Sequence, residues 1–402
     1  MASAKLLSTV ESVEELAQSL PKQLREDDGL RKRLLDAVQK IVPEIETPPE
    51  TSQRLLYTPC ELVGARIGVD LDLFNTLAQS DKPLQTEELA RKTGTEPELL
   101  SRLLKYMSSV GLVKENGADK WSSSNAGKNV SIRTSTAGVR FFHESLTQAY
   151  LALPSWLKRR GYTTPTEMTD APFAQGHGAP PEQSFFAWLQ AHPSMAMEFN
   201  IFMGAHRVGA RTWLDKSELV ALINEAHDAS KDQDRAFFVD VGGGIGQQCE
   251  ALNTKLPGLK GRIILEDLPK VVEKAKLSDG IEAVGMDFFQ EQPVKGATAY
   301  YMRSVLRNWP DKACRTILQH TRDAMDDRSL LLIDEIILSD SGASKEETQL
   351  DMTMLAVLNA QARTASHWKK LLNEAGLELQ DIVLYQDAGR EAVVVGRLPK
   401  GA

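Results

Sequence analysis

Apolar positions follow a helical period through most of the first half of the chain and change to short, fully apolar runs in the second. Up to about Thr47 the sequence is charged, with Leu16, Leu20 and Leu24, then Leu30, Leu34, Leu35, Val38, Ile41 and Val42 at helical spacing. Such spacing predicts amphipathic helix. Pro43, Pro48 and Pro49 are expected to end that run. From Leu55 to about Val130 the pattern gives one helix over 65–74, a second over 86–90 with Thr86 as its cap, and a third over 97–107 with Pro97 in its first turn. Gly111-Leu112-Val113 and Lys120-Trp121, about Asn116-Gly117, then predict a hairpin. Three helices followed by a hairpin make a winged helix. Residues 135–225 read as aromatic-rich helices, interrupted at 163–183 by a Ser/Pro/Gly-rich stretch that predicts a surface loop.

Beyond 235 the period changes. Short apolar runs at about 236–241, 262–266, 281–285, 298–304 and 329–336 alternate with helix-compatible segments, and 380–386 and 391–397 form a closing antiparallel pair. Alternating β and α units with right-handed crossovers build a doubly wound α/β sheet, with its ligand at the carboxyl ends of the strands. The first run, Phe237-Phe238-Val239-Asp240-Val241, opens into Gly242-Gly243-Gly244-Ile245-Gly246 and a helix over 247–256. Glycines permit a tight turn and close backbone approach, and a helix N-terminus offers free N–H groups. Roughly 20 residues on, the second strand ends in Glu266-Asp267, where a carboxylate can accept both hydroxyls of a ribose. The organisation read from these patterns is a helical arm (1–50), a winged-helix domain (51–132), a helical linker (133–230) and a nucleotide-binding domain (231–402).

Composition narrows the partners. A net charge of −8 argues against nucleic acid, whose phosphates require a basic face. Cys60, Cys249 and Cys314 are scattered without disulfide or metal-ligand spacing, as in a reducing compartment. No metal site is expected. The absence of a long apolar run gives the expectation of a cytoplasmic protein with no membrane partner. For the first 50 residues two readings stand: a solvated helical arm, or an arm wrapped around a second subunit.

Val239-Asp240-Val241-Gly242-Gly243-Gly244-Ile245-Gly246, followed by Asp267-Leu268-Pro269, Gly285-Met286-Asp287-Phe288-Phe289 and Arg307-Asn308-Trp309-Pro310-Asp311, resembles the plant- and fungal-type O-methyltransferases from about Leu55 to Leu398. The resemblance implies a Rossmann-like domain that binds S-adenosylmethionine (SAM), a winged-helix dimerisation domain, and a homodimer in which that domain lends a wall to the partner's pocket. It also implies that Gly242, Gly243 and Gly244 line the methionine portion of SAM, that Asp267 takes the ribose, and that Asp287 and Phe288 contact the adenine. Arg303 stands where the family usually has a lysine beside the SAM carboxylate. The resemblance also makes the linker 133–230 the family's substrate chamber, and Phe141, Asn308, Trp309 and Met354 are the implied wall of the pocket for a small-molecule substrate.

At the catalytic positions the chain departs from that family. The family's base is the histidine of a His-Asp-Trp-x-Asp run, and that position holds Arg307. Arginine stays protonated in proteins and cannot act as a general base. Of two glutamates that support the histidine, Glu335 is present, but the second belongs to a Glu-Arg-Thr triplet that reads Ala362-Arg363-Thr364. His143 is the best substitute base; His320 and His367 read as helix-surface residues. Arginine in the histidine slot resembles the methyltransferase-like pericyclases of leporin type, which retain SAM without transferring its methyl. Phe141 falls where that branch has its own histidine, with His143 two residues on. The resemblance implies a pericyclase or cyclase of secondary metabolism acting on a polyketide- or pyridone-type molecule. Two alternatives stay open, a true small-molecule O-methyltransferase and a non-catalytic SAM-binding scaffold or winged-helix regulator.

Overall fold

The computed structural model describes residues 2–205, 212–228, 234–256, 261–386 and 391–400. They fall into two compact units, Met1–Gly127 and Lys128–Ala402. The boundary read from the sequence at 230/231 lies outside the described residues.

The first unit begins with helices Ala2–Gln18, Lys22–Glu26 and Asp28–Ile45. Prolines do not end the run as expected. Pro43 lies inside the third helix, while Pro48 and Pro49 open the next, Pro48–Asp70. Proline's missing N–H costs nothing in a first turn. There the Thr47 N–H and hydroxyl both donate to the Glu50 carboxylate at 2.7 Å. The helix expected over 65–74 is two helices, Pro48–Asp70 and Leu73–Ala78, broken where Asp72 adopts a left-handed φ of 49°. Gly68 makes the fold-back possible, since a Cβ there would lie 2.5 Å from the Phe74 ring. Thr86 does not cap its helix. It is the first helical residue of Thr86–Thr93; its buried hydroxyl donates to Asp119 and accepts from Trp121 Nε1 at 2.9 Å. Helix Pro97–Ser109 follows, with Glu96 as its cap. The expected hairpin forms from β2 (Val113–Glu115) and β3 (Lys120–Ser123), and β1 (Leu84–Gln85) adds a third antiparallel strand on the other side of β3.

In the second unit one sheet runs β10-β11-β8-β7-β4-β5-β6. Its strands are β4 (Ala236–Val241), β5 (Arg262–Asp267), β6 (Ile281–Gly285), β7 (Ala299–Arg303), β8 (Leu330–Leu338), β10 (Glu378–Gln386) and β11 (Glu391–Arg397). The short strand β9 (Arg363–Thr364), which the sequence pattern did not mark, pairs with the end of β8. The strands from β6 to β8 pair in parallel, and β11 and β10 antiparallel. All six residues of β4 are buried, as a central parallel strand covered on both faces requires. Successive side chains alternate between two cores: Tyr300, Met302, Leu331 and Ile333 pack on one side, Tyr301, Leu330 and Leu332 on the other. Chain order reverses at β4, between β5 and β7, and a crevice opens at such a switch point beyond the strands' carboxyl ends.

Helices of 128–205 form a third core with helix Lys345–Leu358, containing Phe141, Trp156, Phe173, Phe185 and Trp188. The stretch 163–183 is only partly the expected surface loop. Helix Pro172–Gly176 buries Phe173, whose ring stands edge-on to Phe185 and Trp188 at 5.2 and 5.3 Å. Among the described residues no helix is long and apolar enough to cross a membrane.

Candidate functional site

The glycine turn is built by hydrogen bonds across the carboxyl ends of β4 and β5. Gly242 and Gly243 N–H donate to the Glu266 carbonyl at 2.8 and 3.0 Å, and Gly244 N–H donates to Asp267 Oδ2 at 2.8 Å. Gly242 and Gly244 have φ of 73° and 66°. A Cβ on Gly243 would meet the Asp240 carboxyl at 2.5 Å. The turn, Asp240, Gln247, Gln248 and Arg303 enclose a cavity of about 90 Å³. Asp267 joins this group through Gly244, its other oxygen accepting from Leu268 N–H at 2.7 Å; burial raises its pKa against those two bonds. Phe288 stands beside Gly242, within 3.5 Å of where a Cβ there would lie. Asp287 is exposed and accepts from Phe289 N–H at 3.0 Å.

A short 3-10 turn, Leu306–Asn308, follows β7 and carries Arg307. Its backbone N–H donates to Glu335 Oε1 at 3.1 Å, while Nε lies 3.8 Å from Glu335 Oε2. That pair is ionic in range but not hydrogen-bonded, and both atoms are buried without a hydrogen-bond partner among the described residues. Burial pushes the Glu335 carboxyl up to about 7, against the pull of Arg307. Asn308 Nδ2 donates to the Ser304 carbonyl at 2.9 Å, and Trp309 stands edge-on to Phe288 and Phe289.

One residue that holds this turn was missed. Arg363 is fully buried and donates to the carbonyls of Leu306 (3.0 Å) and Trp309 (2.9 Å) and to Asp311 Oδ1 (2.8 Å). The Ala362-Arg363-Thr364 triplet carries its signal in the sequence, where the lost glutamate is the more conspicuous departure. His367 lies on helix Ala365–Glu374 with its side chain part-exposed, and its Nε2 donates to Asp311 Oδ2 at 2.7 Å. Burial opposes ionisation of Asp311, but the His367 hydrogen bond and the Arg363 charge outweigh it and hold the carboxyl well below its ordinary range. Asp351 accepts the Ala362 N–H at 2.8 Å, so a carboxylate does face this position, from a residue no motif marks.

His143 sits in a π-helical turn, Phe142–Leu146, half-buried, with Nδ1 enclosed and without a hydrogen-bond partner among the described residues. His177 steadies the turn by a 2.9 Å hydrogen bond to the Ser145 carbonyl. Both the π turn and the Arg307 turn pack on helix Lys345–Leu358, which carries half-buried Met354. Phe141, expected on the pocket wall, ends helix Arg133–Phe141 directly before the π turn. Its ring is buried among Phe142, Phe185, Phe199 and Phe202 at 5.3–6.4 Å, because a phenyl group in a helix packed on aromatic neighbours gains more by entering the core.

Residues 172–378 match the O-methyltransferase domain and residues 66–129 the O-methyltransferase dimerisation domain. The chain is 36% identical to O-methyltransferase ucdC of Aspergillus ustus, over 89% of this chain and 92% of that protein. It is 34% identical to O-methyltransferase lepI of Aspergillus flavus, over 94% of this chain and 96% of that protein. The solved structure described as a pericyclic reaction enzyme superposes with a TM-score of 0.84 at 34% identity, and LepI in complex with SAM with 0.82 at 33%; they cover 98% and 99% of this chain and 100% of their own.

Proposed function

The chain belongs to the O-methyltransferase family, and from that premise we propose that it is a SAM-binding pericyclase of secondary metabolism, acting on a polyketide- or pyridone-type small molecule. The observation that carries this reading is Arg307. The position that would abstract a proton holds a cation, backed by a buried carboxyl group that keeps its own proton to about pH 7. A pericyclic step requires no base. It requires a shaped apolar chamber and a preorganised positive donor that draws electron density from a carbonyl-bearing partner. When bound, SAM supplies a fixed sulfonium charge. Gly243, which admits no side chain, and the cavity shared with Arg303 suit the methionine tail of SAM. Asp267 would hold the ribose and Asp287 and Phe288 the adenine. Arg307 orients and polarises the substrate, Glu335 positions Arg307, and Asn308, Trp309 and Met354 shape the chamber. A second reading, methyl transfer with His143 as base, is favoured by its enclosed Nδ1, which has no hydrogen-bond partner among the described residues. Product mass and cyclised fraction, with methyl-labelled SAM present, separate the two.

Asp267→Ala is expected to weaken SAM binding by about 1.5–3 kcal/mol, the cost of a charge-assisted hydrogen bond. Titration calorimetry returning the wild-type affinity would move the ribose site elsewhere.

The first unit is read as a winged-helix dimerisation domain extended by the helical arm. Leu6, Leu7, Val10, Val13, Leu30, Leu35, Val38, Ile41 and Ile45 are exposed in its helices, and apolar stripes of that extent mark association surfaces. Light scattering at micromolar concentration is expected to report a dimer; a monomer with the arm intact refutes this.

The pH dependence follows from Glu335. Its carboxyl is raised from an ordinary 4.5 to about 7, so between those values the folded state holds a proton that the unfolded chain releases. Its contribution to stability is therefore full at low pH and lost as pH rises through about 7. Above that pH the ionised carboxylate also neutralises Arg307. Cyclisation is expected to fall on the alkaline side of about pH 7, and Glu335→Gln to flatten that limb. An unchanged limb in the variant assigns the titration to another group.

A further inference from the structure

Arg303 ends β7 with its side chain 11% exposed, at the edge of the cavity lined by the glycine turn. Two carboxylates face it: Asp334, with an oxygen 3.6 Å from Nη1, and Glu391, 3.8 Å from Nη2. Both distances retain ionic attraction, but neither is a hydrogen bond. Among the described residues the guanidinium makes none. That is unusual for arginine beside a buried aspartate, where a paired two-point contact is the strong arrangement.

Two phenols account for it. Tyr301, on β7, donates its hydroxyl to Asp334 Oδ2, and Tyr385, on β10, donates to Asp334 Oδ1 at 2.7 Å. Burial, reinforced by the Asp334 charge, pushes both phenols well above their ordinary range, so they remain donors. Each carboxylate oxygen is thus engaged by a hydrogen bond from a neutral donor. Asp334 still attracts Arg303 as a charge, since Coulomb energy declines only as the inverse of distance, yet its oxygens are held by other donors. The guanidinium is fixed as a cation with its N–H groups unspent, beside a cavity that also contains the Asp240 carboxylate and the open backbone of Gly242–Gly244. A cation and an anion facing one small polar cavity suit a zwitterionic amino-acid tail.

We propose that Tyr301 and Tyr385 are positioning residues for cofactor binding: by occupying Asp334 they prevent it from capturing Arg303, and so reserve that guanidinium for the carboxylate of the cofactor's amino-acid tail. The inference rests on the SAM-binding reading above. Removing a phenol frees an oxygen of Asp334, which then competes for the same N–H groups.

The test compares two ligands that differ in the tail, S-adenosylhomocysteine and 5′-methylthioadenosine, by calorimetry on the full-length protein. In the Tyr301→Phe/Tyr385→Phe double variant the Kd for S-adenosylhomocysteine is expected to rise about tenfold, the scale of one polar contact, while that for 5′-methylthioadenosine stays unchanged. A purely structural role for the phenols would weaken both ligands alike. Arg303→Met marks the limit, at which the tail contributes least. If the double variant does not fold, each single variant is put through the same comparison with a smaller shift in the same direction. Wild type that binds neither ligand overturns the SAM reading and this inference with it. Wild-type discrimination that persists in the tyrosine variants but collapses in Arg303→Met overturns the inference alone.

Discussion

Arg307→Ala is expected to lower the rate of cyclisation by about 10²–10³, the scale observed when one preorganised donor is removed from a low-dielectric site. The magnitude follows from burial. The Arg307 side chain is 17% exposed over a carboxylate that is 1% exposed, so water cannot replace the lost charge at comparable strength. Arg307→Lys retains the cation but loses the planar fork and should fall between the two. Arg307→His is more informative. A methyltransferase disabled only by loss of its base should gain methyl transfer when histidine returns, most of all with Ala362→Glu restoring the second acid. A pericyclase should lose cyclisation and gain little methylation, because its chamber has no need to set a hydroxyl in line with the sulfonium methyl.

Arg363→Ala is expected to destabilise the fold by about 3–5 kcal/mol, the cost of removing a fully buried cation on which two carbonyls and a part-exposed carboxylate depend. The substitution strips donors from the Leu306 and Trp309 carbonyls and leaves Asp311 with His367 as its remaining ion-pair partner among the described residues. Those carbonyls flank Arg307, so cyclisation should decline even at temperatures where the variant is folded. Urea unfolding followed by circular dichroism provides the measurement. A midpoint equal to that of wild type would mean that Arg363 does not hold the turn.

The parts of this molecule legible in its sequence are those whose cause is local. β4 announces itself by continuous apolar character, and the glycine turn by a residue type that its backbone angles demand. Asp267 was marked by its distance along the chain, and the structure joins it to Gly244 by one hydrogen bond. Residues whose job is tertiary were not legible. Arg363 lies 57 residues from the Leu306 carbonyl it secures, and Asp351 faces Ala362 from a helix with no motif. The aromatic cluster around Phe141 is likewise tertiary, drawing Phe185 and Phe199 from a distant stretch of the chain. Local patterning also misled where a long-range contact decided the outcome. Thr86 resembles a helix cap until Trp121 and Asp119 claim its hydroxyl, and 163–183 resembles an open loop until Phe173 finds Trp188.

The most direct test of the central claim is a single-turnover reaction of the wild-type protein with a reactive polyene or quinone-methide precursor and SAM labelled in its methyl group, read by product mass. The account predicts a cyclised product without label, formed at a rate that collapses in Arg307→Ala. Efficient transfer of labelled methyl to the product, at a rate that Arg307→Ala leaves untouched, would contradict it and make His143 the base.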